Sequence, residues 1–276
     1  RTIGGRSPMV ETTRRITSAL TQRLGRPVFL GTRHSQPTIS RALHRARSAG
    51  VRHLIAICLT PYEGRFTTAA YRGAVYSAFN DMPMQSLRVE FGESWCKEPA
   101  FLSGLVGTVK KGLSALTDAD REHVTIFFSA HSLPATVLDD GDPYPGQVAE
   151  TAARVASDLT LSADRWRLAY QSAPRRASDP WLGPNLEDEI IALSKRAAAD
   201  ADSEAAPSAL VVPIGFVLDN LETRYDLDVE LAERARAANI RFHRAPALND
   251  HPLLIESLVR AVKGNAGRSA RTKETQ

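Results

Sequence analysis

His131 closes the run Val124-Thr125-Ile126-Phe127-Phe128-Ser129-Ala130-His131-Ser132-Leu133-Pro134. An imidazole can hold a metal ion or move a proton near neutral pH. A second group of reactive side chains lies far along the chain. Glu222, Asp226 and Glu230 recur every four residues, which on a helix places them in one acidic stripe. Leu221, Tyr225 and Val229 flank the stripe on one side, and Leu227 and Leu231 on the other. Like charges four residues apart oppose helix formation by roughly 0.2–0.5 kcal/mol per pair, and by more when water is excluded. A bound cation or shared protons would offset that cost. Each group also has a plain reading: a capped turn with an incidental histidine, and a solvated acidic face.

The elements that must position these groups follow from the hydrophobic pattern. Val124–Phe128 is apolar or β-branched without a break and reads as a strand buried on both faces. His131 then falls just past its carboxyl end, where open α/β sheets bind their ligands. The acidic helix, Leu221–Ala237, follows another strand, Leu210–Ile214. Further strands are expected at Pro27–Gly31, His53–Leu59, Leu87–Phe91, Trp166–Tyr170 and Ile240–His243. Helices are expected at Thr38–Ala49, Thr67–Phe79, Ala100–Leu116, Gln147–Leu159, Leu186–Ala198 and His251–Lys263. Repeated strand–helix units predict an α/β protein with doubly wound, mainly parallel sheets. Two sheets divided near Thr117–Glu122 account for the length. Ala199–Ser208 reads as a surface loop. The polar tail Gly264–Gln276 reads as disordered.

Composition excludes several classes of function. With 276 residues, 43% hydrophobic and 24% charged, the chain can bury one large or two modest cores. The net charge of +4 comes from scattered bases, with no basic run interleaved with aromatics, so nucleic acid is not an expected partner. Cys58 and Cys96 are the only cysteines. They cannot build a four-cysteine iron–sulfur cluster or a disulfide framework, and a reducing compartment such as the cytoplasm fits. No apolar stretch approaches the roughly 20 residues that cross a bilayer. Gly4-Gly5 lacks the spacing of a dinucleotide fingerprint, and no Gly-Lys-Ser/Thr is present.

Four motifs stand in order along the chain. Ile3-Gly4-Gly5-Arg6-Ser7-Pro8 comes first, and Ser129-Ala130-His131-Ser132-Leu133-Pro134 with Gly141-Asp142-Pro143-Tyr144 second. Tyr170-Gln171-Ser172 with Pro180-Trp181-Leu182-Gly183-Pro184 follows, then Val212-Pro213-Ile214-Gly215-Phe216-Val217 with Asp219, Leu221-Glu222 and Tyr225. Together they resemble the motifs of the ferrochelatases: the first is similar to the glycine-rich segment on the porphyrin side, the second and fourth to the family signature, and the third to the linking motif.

The resemblance implies insertion of ferrous iron into a porphyrin, coproporphyrin III or protoporphyrin IX, by two Rossmann-like, chelatase-type domains with parallel sheets and a cleft between them. Residues 1–117 would form the first domain, lacking the family's opening strand. Residues 118–248 would form the second, and 249–263 a helix packing back on the first. His131 matches the catalytic and metal-site histidine and Glu222 its partner carboxylate. Asp226 and Glu230 continue the metal-binding row, on a helix that is often π-wound in the family. Ser7 and Tyr71 match porphyrin contacts. Arg65, beside Gly64 in the loop before the helix of Tyr71, is a candidate to meet a propionate, its plain reading being a solvated loop arginine. Porphyrin and ferrous iron are the implied partners, with no further cofactor, at most peripheral membrane contact, and a monomer in the cytoplasm. The chain departs from the family at Asn220, where histidine is usual, and at Cys96, where an aromatic is common. Asn220 and the missing opening strand leave open an impaired porphyrin carrier, or a chelatase for another tetrapyrrole.

Overall fold

The computed structural model describes residues 7–80, 87–174, 178–199 and 206–274. The glycine-rich segment at residues 3–6, the pair Arg175-Arg176 and most of the expected loop after Ala199 lie outside the described residues. The chain divides into two units. One holds Arg1–Met9 with Leu102–Asn249, and the other Val10–Phe101 with Asp250–Gln276. The change-over after Phe101 lies inside a helix, ahead of the position near 117 at which the sequence pattern puts it.

The unit that holds Val10–Phe101 starts with α1 (Met9–Leu24), which the hydrophobic pattern does not reveal. It buries Thr12, Thr13 and Ile16, so two of its three inward positions are not apolar. Pro27–Gly31 is not a strand: among the described residues it joins no ladder, and Thr32 beyond it makes a single bridge with Thr38. Its composition suits a strand, but a strand exists only through a neighbour's hydrogen bonds. α2 (Ile39–Ser48) is capped by Thr38, whose hydroxyl oxygen accepts from Arg41 N–H, and it buries Ala42, Leu43 and Ala46. β1 (His53–Ala56) pairs in parallel with β2 (Arg88–Phe91). Pairing ends at Ala56↔Phe91, so β1 is shorter than its apolar run. Between them a π-wound segment, Arg65–Ala69, runs into α3 (Ala70–Asn80). Leu43 and Leu87 centre a small core with Ile39, Leu54, Phe79 and Val89. Beyond β2, Trp95 stands edge-on to Phe101 at 5.1 Å and donates Nε1–H to the Cys58 carbonyl oxygen at 3.0 Å.

α4 (Pro99–Ser114) leads into the other unit. The expected break near Thr117 is instead a short helix, α5 (Asp118–His123), with Thr117 as its cap. β3 (Val124–His131) then runs through the centre of a four-stranded parallel sheet, and every residue from Ile126 to Ala130 is buried. α6 (Thr136–Asp139) and α7 (Pro143–Asp158) follow, then β4 (Trp166–Gln171), α8 (Leu186–Ala199) and β5 (Ser208–Val212). A π-wound segment, Thr223–Leu231, passes into α9 (Ala232–Ala237) and β6 (Arg241–Arg244). Strand order is β4-β3-β5-β6. Leu186, Ile190, Leu227, Leu231 and Ala235 cover one sheet face over Phe127, Ala209 and Val211. Alternation turns Leu210 to the opposite face, where Gly112 of α4 lies close. The chain leaves β3 towards β4 on one side, while β5 lies on the other. That reversal makes the carboxyl ends of β3 and β5 a switch point, the usual ligand position of such sheets.

α10 (Pro252–Glu274) belongs to the unit of β1 and β2. Just before it, Asp250 accepts from Arg15 Nε–H of α1 at 2.6 Å. Helical hydrogen bonding continues to Glu274, past Lys263 where the sequence pattern ends it. The added stretch holds six strong helix formers, Ala266, Arg268, Ala270, Arg271, Lys273 and Glu274, beside Gly264 and Gly267, which oppose a helix. Among the described residues no helix is long and apolar enough to cross a membrane.

Candidate active site

β3 ends at His131, not at Phe128, because Ser129, Ala130 and His131 keep register with Ala169, Tyr170 and Gln171 of β4. On its other side β5 stops at Val212, level with Phe128. The edge left beside Ser129–His131 is filled by the turn after β5. Gly215 N–H donates to the Ser129 carbonyl oxygen at 3.0 Å. A Cβ at Gly215 would lie 2.6 Å from Ala130 Cα, so only glycine permits this approach. The turn also brings the Phe216 ring edge-on to the imidazole, with centroids 6.1 Å apart.

The imidazole is oriented from two sides. Its Nδ1 pairs with the Ser132 carbonyl oxygen. A carbonyl only accepts, so Nδ1 carries hydrogen and Nε2 is the position free to change state. Nε2 faces Oε2 of Glu222 at 3.6 Å, beyond hydrogen-bond range. Tyr144 O–H donates to the His131 carbonyl oxygen at 2.9 Å and is held at the start of α7 by the Asp142 cap. The linking segment secures the next turn: Leu182 N–H donates to Leu133 O, and Ser132 O–H donates to Leu182 O, each at 2.8 Å. Trp181 forms an antiparallel backbone bridge with Pro134 there.

Glu222 stands in the first turn of the helix after β5. That turn is capped by Asn220, whose Oδ1 accepts from Thr223 N–H at 2.8 Å, while Asn220 N–H donates to Thr223 Oγ1 at 2.9 Å. Asn220 is thus committed to the helix start, the task for which its side chain is suited. The Glu222 side chain keeps 42% of its surface exposed, yet Oε2 is closed to solvent and has no hydrogen-bond partner among the described residues. Burial pushes its carboxyl above the ordinary range; His131 opposes the shift, and Asp226 adds to it.

The rest of the acidic row follows along the π-wound segment. Asp226 accepts from Ser172 O–H at 2.7 Å. Ser172 adopts a left-handed backbone, φ 61°, just past β4. Glu230 is half-buried further on. The predicted apolar flanks differ: Leu227 and Leu231 enter the core, whereas Leu221 and Tyr225 are 55% and 44% exposed. Among the described residues no three His, Cys, Asp or Glu side chains gather into a metal cage. Asp226 lies near enough to Glu222 to raise its carboxyl's pKa, and Glu230 follows four residues further along the same segment.

The other predicted residues lie apart in the chain. Ser7 accepts from Met9 N–H at 3.4 Å. Tyr71 and Arg65 belong to the unit of β1 and β2. Arg33 lies 5.3 Å from the Tyr71 ring centroid, and burial raises the phenol's pKa. Arg65 opens the π-wound segment there, exposed, 5.7 Å from the Phe66 ring. Sequence reasoning missed Arg244, which pairs with Asp219 and Asp228 beneath the acidic helix. In Arg241-Phe242-His243-Arg244 it reads as one more polar strand residue, and no local signal sets it apart.

This fold is of the chelatase type. The chain resembles the solved structure of SirB from Bacillus subtilis with Fe3+, with a TM-score of 0.63 at 12% identity over 94% of this chain and 90% of that one. It also resembles the cobalt complex of the sirohydrochlorin chelatase SirB from Bacillus subtilis subspecies spizizenii, with a TM-score of 0.59 at 11% identity over 92% and 88%. The ferrochelatase family model matches residues 1–266. A ferrochelatase of Deinococcus radiodurans is 32% identical over 98% of this chain and 84% of its own length. A coproporphyrin III ferrochelatase of Geobacillus thermodenitrificans is 31% identical over 95% and 81%. The chain belongs to the ferrochelatase family. It is a metal-insertion lyase that places ferrous iron in a porphyrin during haem biosynthesis.

Proposed function

We propose that His131 and Glu222 carry the metal insertion, with coproporphyrin III as the porphyrin. The observation that supports the pair is the 3.6 Å approach of His131 Nε2 to a desolvated Glu222 oxygen, at the switch point of the sheet. A free-base porphyrin must lose two pyrrole N–H protons as iron gives up its water ligands for four nitrogens. Nε2 accepts one of the two protons and the Glu222 carboxylate the other, and both pass on to solvent once iron has entered. Metal and proton compete for the same lone pair, so His131 serves iron at one step and a proton at another. Asp226 and Glu230 deliver the hydrated ion, for which oxygen ligands suit better than thiolates.

The choice of coproporphyrin III, with four propionates, is favoured by relatives that bear its name and by the exposed cation Arg65. Ser7 and Tyr71 are the further porphyrin contacts. The enzyme works as a cytoplasmic monomer without a resident cofactor, its contact with membrane at most peripheral. Anaerobic insertion assays with ferrous iron and each porphyrin test the reading. His131→Ala should abolish turnover in a folded protein, and near-normal turnover would remove His131 from the chemistry. Changing Asp226 and Glu230 together to amides should raise KM for iron and leave that for porphyrin nearly unchanged. Preferential turnover of protoporphyrin IX would overturn the substrate assignment.

A further inference from the structure

Arg244 takes no part in the steps above, yet it touches both ends of the segment that presents Glu222. It is the last residue of β6, its side chain only 9% exposed. Nε–H and Nη2–H donate to the two oxygens of Asp228 at 2.5 and 2.9 Å. Nη1–H donates to Asp219 at 3.0 Å and to the Ala245 carbonyl oxygen at 3.2 Å. The second oxygen of Asp219 accepts from Asn249 Nδ2–H at 3.0 Å, and Asp219 N–H donates to Asn249 Oδ1 at 2.9 Å. Asp219 precedes Glu222, and Asp228 lies beyond it on the π-wound segment. A single planar guanidinium therefore ties the approach to Glu222 and the helix after it to one strand end.

The segment needs such a tie. π-Winding is rare and usually lasts a single turn, whereas here it covers Thr223–Leu231. The same stretch carries Asp226 and Glu230 beyond Glu222, whose mutual repulsion opposes a fixed helix. Arg224 comes only to 3.9 Å from Asp228 and is exposed, so it cannot replace the buried fork. A lysine would offer a point charge where the geometry asks for a planar set of donors.

We infer that Arg244 is a positioning residue: its fork sets where the π-wound segment stands on the sheet, and through it the distance from Glu222 to His131. The inference rests on the reading of His131 and Glu222 as the catalytic pair. Arg244→Lys and Asp228→Asn test it in the full chain, at a temperature where circular dichroism shows both variants folded. Insertion kinetics are measured with iron and porphyrin varied separately, and amide hydrogen exchange is followed along the chain. Arg244→Lys should lower kcat about tenfold to a hundredfold and raise KM for iron, with KM for porphyrin unchanged. Exchange should quicken within residues 219–231 only. Asp228→Asn, which keeps the shape but weakens one leg, should give a smaller loss of the same kind. Unchanged kcat and iron KM in the folded lysine variant would overturn the inference. So would exchange that quickens evenly through the unit, the mark of a general stabilising pair. If the unaltered protein shows no turnover, the catalytic reading fails by itself. The exchange pattern still decides the clamp, local quickening upholding it and even quickening overturning it.

Discussion

At Glu222 one carboxyl oxygen is shut from water and held 3.6 Å from an imidazole nitrogen, too far to share a proton directly. Its raised pKa has a defined consequence for stability. The neutral form is favoured in the folded state, so this group's contribution is whole below its ordinary 4.5 and is lost as pH rises through the folded value. Once pH has risen past that folded value, the metal-free protein carries the cost of an ionised, partly desolvated carboxylate. Glu222→Gln removes that cost, and solvent over the exposed part of the side chain keeps the gain small. Thermal melts of the metal-free variant should show a rise of about 1–3 °C at pH 7 that fades towards pH 4. Insertion should fall far more than porphyrin affinity does. Cys58 gives a second test. Burial pushes its thiol from the ordinary 9.0 up to about 11. At pH 8 only about one molecule in a thousand carries the thiolate, so alkylation of Cys58 should be slow until the fold is opened with denaturant. The stability linked to its neutral form should hold below pH 9 and decline as pH climbs through 11.

Among elements, the start of the acidic helix shows why a departure from the family pattern need not be a defect. Asn220 exchanges two hydrogen bonds with Thr223 and so defines the first turn on which Glu222 stands. Asn220→Ala should cost about 1 kcal/mol of stability in denaturant titrations, and Asn220→Asp should cost little. Loss of insertion without loss of stability in the alanine variant would assign Asn220 a chemical task instead. The elements that sequence pattern recovered were those whose burial is apolar and periodic, such as β3 with Ile126–Ala130 inside. α1 escaped because threonines fill its inward positions. Pro27–Gly31 misled because strand composition says nothing about a partner. His131 and Glu222 were legible as residue types at the ends of buried strands. Their distance was not, since it depends on Gly215 meeting Ala130 and on a guanidinium distant in sequence.

The whole molecule is assembled from one nearly continuous stretch, Leu102–Asn249, and one interrupted by it, Val10–Phe101 with Asp250–Gln276. Within the interrupted unit, Arg15 and Asp250 meet across 235 residues of sequence. Closing a flexible loop of that length costs on the order of 5 kcal/mol, a cost that falls sharply once the intervening stretch is compact. Folding order should therefore be imposed by connectivity. On the ribosome, Val10–Phe101 emerges first but lacks its closing helix until the chain has passed Asp250, whereas Leu102–Asn249 has nearly all its partners beforehand. Pulsed hydrogen exchange during refolding should protect the amides of β3 and β5 before those of β1 and β2, and the reverse order would exclude this sequence of events. A nascent chain stopped short of α10 would then already present the His131 turn, while the half that was synthesised first still waits to fold.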